Sequence, residues 1–197
     1  NGLRGDLMDE ELILKLKTAG AYYLTFAVET ASPRIQKMLK KNLNLKKVQK
    51  IIELSDKAGI LVNGFFMIGF PTETLEEIQQ TINFSLHSKL HTQGLFEVVP
   101  FPGTELYTIA KKVYPPLFDE NLAKMTFYTP SSFYKEVTGI DLRKISKRSS
   151  RRFYFSNPWR IIRFFWLIPK KTLFDPILLR QFLGEVFLRL KSQVFWK

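Results

Sequence analysis

Glu29 closes the apolar run from Tyr22 to Val28, where a carboxylate is costly unless it is wet or partnered. A carboxylate there can accept two hydrogen bonds, as a ribose diol or an ammonium group would offer. The competing assignment is a salt bridge to a neighbour such as Arg4, or plain exposure. Two other short segments also follow apolar runs. They are Gly69-Phe70-Pro71 and Pro100-Phe101-Pro102-Gly103-Thr104. Glycine lets backbone approach a flat ligand and proline stiffens the turn, although each segment alone reads as a simple strand-to-helix turn. Arg4 can grip a carboxylate with two parallel donors or serve as a surface arginine. His87 and His91 have the spacing of many zinc pairs, but no third ligand or catalytic Glu accompanies them, so helix-end solvation is the default. The chain has no cysteine. That excludes disulfides, thiol catalysis, Cys-based zinc sites and thiolate-held iron–sulfur clusters within it.

The elements that would position these groups follow one pattern. Asp9 to Lys17 reads as an amphipathic helix stopped at Gly20, and Tyr22 to Val28 as a buried strand. Ser32-Pro33 starts a second helix, and Leu45 to Ala58 forms a third that stops at Gly59. The strand Leu61 to Ile68 follows, and Thr74 with Glu77 makes a capping box for a helix running to about Ser88. Gln93 to Val99 is the third strand and Thr104 to Val113 its helix. Strands alternating with helices predict an α/β fold with right-handed crossovers and a parallel sheet. Ligands then bind at the C-terminal ends of the strands, so the three segments above share one rim. Three strands make an incomplete barrel, with an exposed edge expected to drive self-association or to be covered by the tail.

Charge divides the chain. The net charge is +12, and Asn1 to Gly139 is nearly balanced, with 16 basic and 15 acidic residues. From Ile140 to Lys197 the counts are 14 and 3. Past Tyr114 the alternation breaks, with a loop-rich connector marked by Pro115-Pro116, Thr129-Pro130 and Ser131-Ser132. Helices are expected over Asp141 to Phe155 and Pro176 to Phe195, and between them Trp159 to Ile168 is aromatic and apolar with Arg160 and Arg163 set into it. The domain reading is therefore 1–113 for the β/α part and 114–197 for a basic, aromatic helical extension. No uncharged stretch is long enough to span a bilayer. The start, Asn1 to Asp6, lacks the basic and apolar regions of a signal peptide, so a cytoplasmic location, peripheral to the membrane at most, is expected.

Four segments carry a family resemblance. In order they are Asn1-Gly2-Leu3-Arg4-x-Asp6, Phe26-Ala27-Val28-Glu29-Thr30-Ala31-Ser32, Gly64-Phe65-Phe66-Met67-Ile68-Gly69-Phe70-Pro71-x-Glu73-Thr74 and Pro100-Phe101-Pro102-Gly103-Thr104-Glu105-Leu106-Tyr107. Their order and spacing resemble the second half of a radical S-adenosylmethionine (SAM) partial barrel. The closest likeness is to the group with an N-terminal cobalamin-binding domain, which includes the anaerobic Mg-protoporphyrin IX monomethyl ester cyclase-like proteins. Ala27 and Thr30 replace the commoner Gly and Ser. The family's C-x-x-x-C-x-x-C loop, which holds a [4Fe–4S] cluster, is absent and lies upstream in the family.

The resemblance implies an incomplete, half TIM-like parallel β/α barrel with a C-terminal helical extension. It implies a fragment of an enzyme that cleaves SAM to a 5′-deoxyadenosyl radical, with the [4Fe–4S] cluster held outside this chain and cobalamin an expected cofactor of the parent. Glu29 would contact the SAM ribose or amino-acid end, and Arg4 would help with the carboxylate. Ile68, Gly69, Phe70 and Pro71 would lie along the adenine, as would Pro100 and Phe101. No catalytic residue or metal ligand is expected in the chain, and alone it should be inactive. The small-molecule substrate is open, a tetrapyrrole or another large hydrophobic compound being compatible with the aromatic tail. The alternative is a non-catalytic module whose tail, Arg143 to Lys197, binds a membrane surface or an anionic partner. A plain helical cover with arginines turned to solvent is the bland reading of that tail. Nucleic acid ranks last because no known binding fold is visible.

Overall fold

The computed structural model describes residues 2–114 and 133–170. The expected Pro176 to Phe195 helix and the Pro115-Pro116, Thr129-Pro130 and Ser131-Ser132 connector lie outside the described residues. A turn of 3-10 helix at Gly5–Leu7 precedes α1, Glu10–Thr18, where Asp9 accepts from Leu12 N at 2.8 Å. The helix stops before Gly20, at φ +93°. Strand β1 is Tyr23–Glu29. Ser32 caps α2, Pro33–Met38, with proline in its first turn, and Asn44 caps α3, Leu45–Lys57. Strand β2 is Leu61–Ile68. The Thr74–Glu77 capping box is fully formed at the start of α4, Leu75–His87. Strand β3 is Thr92–Glu97, followed by α5, Glu105–Val113, capped by Thr104.

The strands pair in parallel in the order β1-β2-β3. The predicted fold class is therefore the observed one: an open, partial TIM-like β/α barrel followed by C-terminal helices. On the open side of β1, Leu3 forms a parallel bridge to Phe26, donating its N–H to Thr25 O at 2.7 Å and accepting from Ala27 N at 3.0 Å. The edge that the sequence predicts to be bare thus carries one short partner. Gly2 makes this approach possible, since a Cβ there would lie 2.6 Å from Ala27 Cβ.

The C-terminal helices are α6, Phe133–Thr138, α7, Leu142–Phe155 with Asp141 as its cap, and α8, Trp159–Leu167. The sequence reads the α6 stretch as connector, because six residues are too few to display a helical period. Tertiary contact holds it instead: Tyr134 donates its hydroxyl to Glu73 O at 2.7 Å. Helix α7 packs on β3 and α4, away from the β1 edge.

Alternation along the strands separates two faces. Leu24, Phe26, Val28, Val62 and Phe66 enter the main core with α1 and α3, and Phe153 of α7 joins them. Ile68 enters a second cluster with Ile78, Ile82, Tyr134 and Leu142. The opposite, concave face carries Thr25 and Ala27 from β1, Asn63, Phe65 and Met67 from β2, and Thr92, Gly94 and Phe96 from β3.

Candidate functional site

The concave face is layered. At its lower level Thr92 donates to Asn63 Oδ1 at 2.8 Å and Asn63 reaches Thr25 Oγ1 at 3.5 Å. Above this polar row Phe65 and Phe96 meet edge to face, with centroids 5.5 Å apart. Glu29 stands at the top of β1.

Glu29 is held in a costly conformation. Its φ is +65°, a region that side chains other than glycine enter rarely. The register jumps there: Ala27 pairs with Phe65, but Glu29 pairs with Phe66, so Val28 is bulged. Bulges commonly re-aim a side chain beside a site. The carboxylate meets Lys41 Nζ at 2.8 Å, and the same ammonium donates to Ala27 O at 2.7 Å. The sequence suggests Arg4 as the salt-bridge partner, but Arg4 turns to Asp6, donating Nη2 to Oδ2 at 2.8 Å. That pairing holds the Asp6 carboxyl below the usual range.

The loop after β1 cannot relax, because a buried polar network fixes it. Thr30 Oγ1 lies 3.1 Å from Thr81 Oγ1 and accepts from Ser32 N. Gln36 Nε2 donates to both Val28 O and Thr30 O, at 3.0 and 2.6 Å. Ser32 Oγ donates to Glu77 at 2.7 Å, and Arg34 grips the same carboxylate with two donors at 2.8 and 2.6 Å. Arg34 in particular pulls Glu77 down to about 2. A helix cap at the sequence level, Glu77 is thus also the clamp between two rim loops.

The remaining candidates do not all face the concavity. Ile68 points to the helix side, because the two-residue alternation that turns Asn63, Phe65 and Met67 to the concave face turns Ile68 away. Gly69, Phe70 and Pro71 are buried. Gly69, at φ +86°, lies under α7, and a Cβ there would sit 2.4 Å from Leu142 Cδ1. Only their backbone can approach a ligand from the rim. Pro100 is buried, whereas Phe101 is about half exposed. Beneath this turn Glu73 Oε2 accepts from Gly69 N at 2.6 Å and Phe70 N at 3.1 Å. Among the described residues its other oxygen, buried, has no partner. Burial outweighs the two backbone bonds and raises Glu73 to about 7. Glu97, at the end of β3, is also raised to about 7 by burial, against the opposing pull of Arg143 and with a contribution from Asp141. Neither carboxyl stands out in the sequence, because both come from packing against α6 and α7.

At the opposite ends of the strands a cleft of about 390 Å3 opens beside Asp56, His91, Asn157, Trp159, Arg163 and Trp166. His91 Nδ1 accepts from Val62 N at 3.0 Å and its Nε2 lies 3.2 Å from Asp56. His87 is exposed, with Nδ1 against Asn83 O at 2.7 Å. The two histidines do different work, and no group of three or more metal-ligating side chains occurs among the described residues.

Comparison with known proteins accords with this geometry. Residues 1–85 match the model of the radical SAM superfamily. The chain is 29% identical over 77% of its length to an uncharacterized methyltransferase of Pyrococcus horikoshii, covering 33% of that protein. It is 33% identical over 61% of its length to the cytidylyl-2-hydroxyethylphosphonate methyltransferase of Streptomyces wedmorensis, covering 24% of it. A putative methylthiotransferase of Methanocaldococcus jannaschii is 31% identical over 53% of the chain and 23% of the relative. The chain thus spans about a quarter to a third of the length of these curated relatives.

Proposed function

We propose, from the radical SAM superfamily membership carried by residues 1–85, that the concave face supplies part of the SAM site of a group-transfer enzyme. Glu29 is its principal polar contact. The observation that carries this reading is the left-handed Glu29 on its bulge, fixed by the Thr30–Gln36–Glu77 network. Strain held by surrounding structure marks sites more often than scaffolds. A carboxylate on an open face, within reach of Lys41, suits the ribose diol or the ammonium end of SAM. The aromatic pair Phe65 and Phe96, with Met67, offers a flat apolar wall beside it.

The family's cofactor set is SAM with a [4Fe–4S] cluster. The donor set here does not fit the cluster, since the chain contains no cysteine. Cluster ligands, and with them the electron for SAM cleavage, must come from outside this chain. The similarity to methyltransferases and a putative methylthiotransferase favours methyl or methylthio transfer as the reaction class. The cyclase-like and tetrapyrrole reading of the sequence draws no support from them, and cobalamin remains an expectation for the parent.

The test is SAM binding by equilibrium dialysis. Glu29→Ala should weaken affinity by about 10–100-fold, the loss expected for charge-assisted hydrogen bonds. Unchanged affinity would remove Glu29 from the site. Given iron, sulfide and reductant, this chain alone should release no 5′-deoxyadenosine. Release would overturn the assignment of the cluster ligands to residues outside it.

A further inference from the structure

Helix α8 is amphipathic in the inverted sense. Its sequence, Trp159 to Leu167, contains two charges: Arg160 is buried, and Arg163, half-buried, turns to Asp56. Arg160 is buried and donates to four carbonyls: Leu90 at 3.1 Å, Phe153 at 2.5 Å, Leu86 at 2.6 Å and Ser88 at 3.2 Å. Its guanidinium also lies 4.0 Å from the Phe153 ring centroid. Arg163 donates to the carboxylate of Asp56 and, at 2.7 Å, to Asp56 O. For these two arginines the expectation of cations turned to solvent is corrected, whereas Arg143, Arg148, Arg151 and Arg152 of α7 are exposed as expected. Three carbonyls between the end of α4 and the start of β3, and one near the end of α7, need donors, and one guanidinium supplies them.

What faces outward is Trp159, Ile161, Ile162, Phe165 and Trp166, an uncharged surface on which Trp166 is 81% exposed. Helix α7 leads into it. Lys144, Arg148, Arg151 and Phe155 recur at helical spacing along one exposed stripe that ends in Phe155, 82% exposed. From Asn157 and Pro158 the chain passes directly into Trp159.

We propose that this surface seats the protein on an anionic lipid bilayer, with the α8 face in the headgroup region and the α7 cations on lipid phosphates. A patch of large apolar side chains beside a cationic stripe is the pattern of an interfacial helix. Tryptophan favours the headgroup depth. Charge selects this occupant: residues 140–197 hold 14 basic and 3 acidic side chains. A second copy laid on the same face would bring its own cations against them. Nine residues extend about 14 Å, far short of a bilayer's hydrocarbon core. No described helix is long and apolar enough to cross, so α8 lies on the surface.

The experiment is vesicle flotation of the full 197-residue chain. Vesicles are pure phosphatidylcholine, or phosphatidylcholine with about 30 mol% phosphatidylglycerol, at about 0.05 M and 0.5 M NaCl, which span strong and weak screening. Binding should be at least about tenfold tighter to the anionic vesicles at low salt, and weakened by the high salt. Ile162→Ser with Trp166→Ser should abolish it, and Arg148→Glu with Arg151→Glu should do the same while keeping the apolar face. Circular dichroism melts establish that both variants fold. Binding that survives the Ile162/Trp166 change would overturn the proposal, as it would then reside elsewhere in the basic tail. Equal binding to neutral vesicles would overturn it too. So would absence of vesicle binding together with a dimer that the Ile162/Trp166 change dissociates.

Discussion

The two ends of the three-stranded sheet are built on opposite terms. At the lower end the charged groups of α8 find partners, although the nearby buried Gln93 Nε2 has none among the described residues. Arg160 serves four carbonyls, His91 has a partner at each ring nitrogen, and Asp56 accepts from both His91 and Arg163. Burial works against the Asp56 charge, but those two partners still hold its carboxyl below the usual range. At the upper end, Glu29 sits in a left-handed conformation, Glu73 has a buried oxygen with no partner among the described residues, and Glu73 and Glu97 are both driven to about 7. The lower end spends its polar chemistry on stability. The upper end keeps strain and unmet polarity, the usual mark of the functional face of a β/α barrel.

The largest effect should come from breaking the lower end. Arg160→Ala strips donors from four carbonyls, three of them in buried contacts, and leaves a void against Phe153, at a cost of about 3–5 kcal/mol. Urea denaturation reads the loss. Helix α8 should also lose amide protection in hydrogen exchange while β2 keeps its own. A cost below about 1 kcal/mol would mean water replaces the guanidinium and the end is not the stabilising one.

At the upper end the corresponding experiment is a pH series on Glu73→Gln. Below pH 4.5 the carboxyl is neutral in the folded and the unfolded chain, and its burial carries no ionisation cost. As pH rises through the window from 4.5 to about 7, the unfolded chain ionises first and the folded chain is disfavoured. The stability lost across that window is about 3 kcal/mol. Glutamine cannot ionise, so the variant should gain on the parent by that amount between pH 4.5 and 7.5. Glu97 titrates in both chains and cancels. Parallel curves would show that Glu73 is already charged near neutrality.

Much of the frame is legible in the sequence because local signals agree with it. Asp9, Ser32, Thr74, Thr104 and Asp141 each stand before a helix and each caps one. Gly20 and Gly59 close helices at positive φ. What is not legible depends on distant partners. Lys41 reads as a helix-end lysine, yet it folds back to Glu29 across twelve residues. Glu73 and Ile68 acquire their surroundings from Tyr134 of α6, in a stretch with no periodic signal of its own, and from Leu142 at the start of α7. Arg160 and Arg163 look like solvent-facing cations of an apolar helix. Only the carbonyls at the end of α4 and the carboxylate of Asp56 reveal why they turn inward.

The finest distinction between the two ends is whether Glu29 is strained for a purpose. Comparing Glu29→Gly with Glu29→Ala separates conformation from chemistry. Both substitutions remove the carboxylate and the ion pair with Lys41, so both should lose SAM affinity to a similar degree. They differ in backbone alone. Glycine adopts φ +65° at little cost, whereas alanine pays the left-handed penalty there, and the folded state should favour glycine by about 1 kcal/mol. Glycine's looser unfolded chain takes back part of that, leaving a net advantage of about 0.5 kcal/mol or more. Glu29→Gly would then be close to the parent in stability, with strain relief offsetting the lost ion pair, and still deficient in SAM binding. A position where deleting the function costs folding little or nothing has been kept for the function. If glycine and alanine are equally stable, the bulge tolerates any residue and Glu29 is no more strained than the capped ends below it.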